Sequence, residues 1–199
     1  MKKLFWLLIT LSVVGCSDRS SLQTYNESGR IDQGLVSRYQ ETGSPTEEYV
    51  NRVAKRIILV TDRPDNNYNF HVVISADPTL TIDRETNTIT ISQGALQQLK
   101  DEAELDATLT LSMERLENAT NEDQTTATTL ANAGYDPEAM LDLQEQYLYA
   151  AHSQNETWMR DLFATPPTSS SITENKTMLK KMPKGLLRGA DTYHLQING

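Results

Sequence analysis

The hydrophobic rhythm of this chain changes twice, and no other feature narrows the possible folds as much. Between Asn69 and Ile91 apolar side chains recur in twos. Asn69-Phe70-His71-Val72-Val73-Ile74-Ser75 is rich in β-branched and aromatic residues, and Leu80-Thr81-Ile82 and Thr88-Ile89-Thr90-Ile91 alternate apolar with polar around residues 83–87. A period of two predicts a strand and then a hairpin with one wet face. Before and after this stretch the spacing is three to four residues. That predicts helices over 45–61, 94–100, 102–119, 122–133, 137–152, 156–163 and 172–182. The expected class is α+β: mostly helical, with a small antiparallel sheet of one strand plus a hairpin ahead of the helix at 102–119.

Local signals fix several boundaries. Ser44-Pro45-Thr46-Glu47 offers an N-cap serine, a proline at the first helical position and a glutamate at the capping-box position. Gly134 reads as a C-cap, and Asp136-Pro137 as the N-cap and first residue of the next helix. Residues 164–171 read as a rigid polar loop, and the acidic side chains Glu102, Glu104, Glu114, Glu117, Glu122 and Asp123 as a solvated helix face.

The first sixteen residues carry a different message. Met1-Lys2-Lys3 is a short positive region, Leu4 to Val14 an apolar run, and Val13-Val14-Gly15-Cys16 is similar to the bacterial lipobox, in which the cysteine is lipidated after cleavage before it. Cys16 is the only cysteine, so no internal disulfide competes for its thiol. Residues 1–15 are thus expected to be a lipoprotein signal peptide, 16–43 the lipidated cysteine and a polar tether, and 44–199 the folded domain. A cut before Cys16 takes 15 residues from the 199 and moves the formal charge from −9 to −11, because Lys2 and Lys3 leave with it. Such a balance argues against nucleic acid as a partner. The residue after Cys16 is Ser17; the lipoproteins this sequence resembles carry aspartate there when retained in the inner membrane. The resemblance therefore implies the periplasmic face of the outer membrane.

From about Thr46 onward the order of elements and several phrases resemble the periplasmic HExxH zinc metallopeptidases of the CAAX prenyl protease and heat-shock protease X type. The resemblance rests on Tyr49-Val50-Asn51-Arg52-Val53, Gly94-Ala95-Leu96, Asp101-Glu102-Ala103-Glu104-Leu105, Ala133-Gly134-Tyr135-Asp136-Pro137, Pro166-Pro167-Thr168 and Met182-Pro183-Lys184-Gly185-Leu186-Leu187-Arg188-Gly189. Two histidines at i and i+4 would reach one zinc ion from a single helix face, and the glutamate between them would take a proton from the metal-bound water. Carried over residue by residue, the first histidine falls on Leu111, the catalytic glutamate on Ser112 and the second histidine on Arg115. The third ligand falls on Asn121, its supporting aspartate on Asp123, and the histidine of a later His-Pro-Pro loop on Thr165. Only five residues separate Arg115 from Asn121, where the active enzymes insert part of their cleft wall.

Leucine offers a metal no lone pair, and Arg115 is expected to fill the former metal position by an ion pair or by snorkelling. His71, His152 and His194 lie far apart in sequence, and Glu114 has no neighbouring histidine. The resemblance therefore implies a pseudopeptidase with no catalytic residue, no metal and no cofactor. It would be held to the membrane through lipid on Cys16 and bind a protein partner in envelope assembly or quality control. The alternative is a metalloendopeptidase working through a non-standard or partner-completed site.

Overall fold

The computed structural model describes residues 44–152, 158–163, 165–184 and 186–198, and its elements follow the change of rhythm. The expectations for the signal peptide, Cys16 and the tether lie outside the described residues. Helix α1 spans Pro45–Ile58. Strands β1 (Asn69–Val73), β2 (Leu80–Asp83) and β3 (Thr88–Ser92) come next, followed by the short helix α2 (Gln93–Leu96). Helices α3 (Glu102–Leu116), α4 (Glu122–Ala133) and α5 (Glu138–His152) follow. A 3-10 turn at Trp158–Asp161, helix α6 (Ser169–Leu179) and helix α7 (Ala190–Asn198) complete the described chain. The domain is α+β, as expected. No described helix is long and apolar enough to cross a membrane.

The sheet departs from expectation in its pairing. Its order is β1-β3-β2, with β2 antiparallel to β3 but β1 parallel to β3, so the sheet is mixed. Alternation in sequence says which side chains share a face but not which strands are neighbours. The hairpin returns β3 into the middle, where its Ile89 and Ile91 are fully buried. Two rows then cover the core face: Phe70, Ile89 and Ile82, and Val72, Ile91 and Leu80.

The two edges of this sheet are treated differently. Ser44 caps α1 by accepting a hydrogen bond from Glu47 N, but Glu47 does not complete a capping box. Its carboxylate instead accepts from Val72 N at 2.9 Å, and Asn51 Nδ2 donates to Phe70 O at 3.2 Å. Helix α1 thereby satisfies one outward N–H and one outward C=O of β1. At the other edge, Ser92 N donates to Thr79 O. The antiparallel alternation then turns the N–H and C=O of Leu80 and Ile82 away from β3. Among the described residues those groups have no partner.

Helix α3 is the axis of the domain. Every residue from Glu102 to Met113 is buried, because α1, α4, α5, β2 and α7 all pack around it. A one-sided amphipathic helix was expected from Leu105, Leu109 and Leu116, yet neighbours cover all its sides. Gly134 ends α4 at φ +89°, and Asp136 accepts from Glu138 N at the start of α5, both as predicted. Helix α6 begins at Ser169, inside the expected loop, because Thr168 and Ser171 form a reciprocal cap.

Candidate functional site

The acidic residues at the start of α3 are the first surprise, since they form a buried network and not a solvated face. Asp101 caps the helix by accepting from Glu104 N at 2.9 Å. Glu102 accepts hydrogen bonds from the hydroxyls of Tyr49 and Tyr135 and from Arg56 Nη1 at 3.3 Å, while Arg56 also donates to Tyr135. Burial, with the Glu102 hydrogen bond behind it, raises both tyrosine pKa values, so they remain donors. Glu104 is fully buried, accepts from Lys100 N and Gln146 Nε2, and forms an ion pair with the Lys100 ammonium at 3.2 Å. Its burial raises its pKa despite these partners.

One turn beyond Glu102, Asp106 is fully buried and neither carboxyl oxygen has a hydrogen-bond partner among the described residues. Burial raises its pKa well above the usual value, and the Glu102 charge adds to this while Arg56 opposes it. Sequence reading passed over Asp106, whose i+4 spacing from Glu102 was the available signal.

At the C-terminal half of α3 the six positions taken from the peptidase pattern part company. Leu111 and Ser112 are fully buried, and Ser112 Oγ donates to Thr108 O at 2.8 Å. Helix α3 ends at Leu116. Asn118 takes φ +53°, and Ala119 N donates back to Glu114 O, a Schellman-type stop that accounts for the short passage to α4. Arg115 makes no ion pair among the described residues, so of the two expected arrangements, an ion pair or snorkelling, the ion pair is not formed. Its Nε is buried without a partner, and its side chain lines a cavity of about 370 Å3 with β2, Arg84 and Asp161.

The other three positions surround a second cleft of about 640 Å3. Asn121 is the exposed N-cap residue of α4 and its side chain makes no capping bond. Asp123 accepts from Gln144 Nε2 at 2.9 Å and Asn175 Nδ2 at 2.7 Å, and Asn175 also donates to Gln144 Oε1. Thr165 is exposed on the same cleft. Asn121, Asp123 and Thr165 are thus brought together, and Arg115 lies in a different cavity. The amides of Gln144 and Asn175 thus hold the Asp123 carboxylate between α5 and α6.

Glu114 lines a third cavity, near Tyr68 and Glu117, and burial with the Glu117 charge pushes its pKa up to about 7. Glu117 itself accepts from Tyr68, Arg63 and Asn66. His71 Nδ1 stands 3.8 Å from Glu47, and His152 Nδ1 lies 2.6 Å from Leu148 O, so the histidines do not converge. Among the described residues no group of three or more His, Cys, Asp or Glu side chains is arranged to hold a metal ion. No protein-family model matches the chain, and no curated protein matches it.

Proposed function

We propose that the domain is a pseudopeptidase-like binding module: it engages a protein partner at the cell envelope and does not cleave it. In this reading it sits at the periplasmic face of the outer membrane through lipid on Cys16. The observation that carries the proposal is that none of the three chemical positions on α3 offers a metal ligand or a base, and two of them are committed to packing. Leu111 is enclosed in the core, Ser112 is bonded to the helix backbone, and Arg115 opens onto the β2 edge. Thr81, exposed on β2 next to this helix, marks the neighbouring surface from which a partner can be sought.

The test has two arms. Photocrosslinking from position Thr81 in the native envelope should trap a discrete partner protein, whereas the same probe at Thr46 should not. Elemental analysis and an unfolded-protein cleavage assay should give no bound zinc and no turnover. Stoichiometric zinc with turnover that a chelator removes would sink the proposal and favour a metalloendopeptidase with a non-standard site.

A further inference from the structure

We propose that the junction of α3 and α4 is a pH-operated latch: while the Glu114 carboxyl is neutral the first turn of α4 stays seated on the end of α3, and its ionisation loosens that turn and reshapes the cleft of Asn121, Asp123 and Thr165. Such a latch works with or without the partner proposed above. Glu114 is half-buried in the last turn of α3 and lines a cavity of about 220 Å3 with Asp62, Arg63, Tyr68 and Glu117. No donor reaches its carboxyl among the described residues. The charges that face it are mostly of its own sign. Glu117 stands one turn on along α3, Asp62 comes from the loop after α1, and Glu122 opens α4. Against them stands Arg63, which already donates to Glu117, while Arg115 lines a different cavity. Tyr68 also donates to Glu117, and burial with that bond pushes it up to about 12, so its hydroxyl stays neutral.

The surroundings of the junction leave it free to yield. Helices α3 and α4 run antiparallel, with Tyr135 bonded to Glu102 at one end and Glu122 facing Glu114 at the other. Between these ends α3 carries Asp106 and Thr110 and α4 carries Thr126, all fully buried, with side-chain oxygens that have no hydrogen-bond partner among the described residues. Such atoms weaken an interface. The connection is lightly held as well: Asn118 takes φ +53°, Asn121 makes no side-chain cap, and Asn118, Thr120 and Asn121 are exposed. Ala119, Thr120 and Asn121 line both the Glu114 cavity and the cleft beside Asp123, so a shift of this connection alters both. Seating is strongest below about pH 4.5, where the carboxyl is neutral in either arrangement. It weakens as pH rises, because the loosened arrangement releases the proton first, and levels off above about 7, where both have lost it.

The test is hydrogen exchange of the full chain, read at each pH as the ratio to Glu114→Gln, which cancels the intrinsic pH dependence of exchange. For the Ala119 and Thr125 amides the ratio of parent to variant should climb by about tenfold or more between pH 5 and 8, with solvent screening of a half-exposed group allowed for, and level off above 7. Asp62→Asn, at an exposed position without a hydrogen bond among the described residues, should lower the pH at which the ratio levels. A ratio that does not change with pH marks a merely structural effect of Glu114 and overturns the latch. The Asn175 side-chain amide, bonded to Asp123 on the cleft side, should follow the same curve. If Ala119 responds and Asn175 does not, the reshaping of the cleft is refuted.

Discussion

Replacing Asp106 with asparagine should make the protein more stable, and increasingly so as pH rises. The side chain is fully enclosed with no partner for either oxygen, and its folded pKa lies well above the ordinary 3.8. The folded protein therefore retains a proton that the unfolded chain releases. For such a group the stabilising contribution is complete below the unfolded pKa and is lost as pH climbs toward the folded value. The loss is about 1.4 kcal/mol for each pH unit per proton retained. Asparagine has nearly the same volume and no titration, so Asp106→Asn removes this slope without leaving a cavity. Glu104 and Glu114, also raised by burial, contribute slopes of the same sign to both proteins and cancel in the difference. Urea denaturation at several values between about pH 5 and 8 should show the two stabilities diverging, with the variant higher and the gap growing until the folded pKa is reached. Parallel profiles, or a variant less stable throughout, would refute the claim that Asp106 is buried in its neutral form.

Two further substitutions probe the scaffold. Arg188 donates to Asp101 and Asp142 at 2.7 Å each and lies 3.9 Å from Glu104, with its side chain 29% exposed. Arg188→Ala should cost about 2–3 kcal/mol, because it leaves Asp101 and Asp142 uncompensated while solvent offsets part of the loss; an unchanged denaturation midpoint would contradict this. A Cβ at position 94 would lie 2.1 Å from Ala76 O and 2.6 Å from Ala76 C, which are backbone atoms with little room to retreat. Gly94→Ala should accordingly lower stability by about 3 kcal/mol or more, measured by thermal unfolding, and a wild-type melting temperature would rule out the close approach.

Much of the architecture was legible from periodicity, because a period of two or of three to four is imposed by which faces meet the core. Ser44, Gly134 and Asp136 were legible for a more local reason: caps depend on a few adjacent atoms. Long-range partners were not. Glu47 sits at a capping-box position, but Val72 N claims its carboxylate from another element. Glu102 and Glu104 look like surface residues until Tyr49, Tyr135, Arg56 and Gln146 arrive from elsewhere in the chain. Helix α7 was not foreseen, since Tyr193 and Ile197 alone mark its buried side. At the candidate site, the chemical types at Leu111, Ser112 and Arg115 could be read directly. The separation of Arg115 from the cleft of Asn121, Asp123 and Thr165 depends on packing that no spacing rule carries.

The tie between the end of the chain and its central helix also bears on when folding can happen. Ala103 N donates to Arg188 O, Leu187 exchanges backbone hydrogen bonds with Gly134 and Asp136, and Tyr193 OH reaches Leu96 O at 2.6 Å. These contacts span up to 97 residues, so the N-terminal half lacks its closing members until the last residues are available. Loop closure over such separations slows folding. A nascent chain cut off before Arg188 would hold Asp101 without its counter-charge. The domain thus completes its packing only once the final helix has arrived.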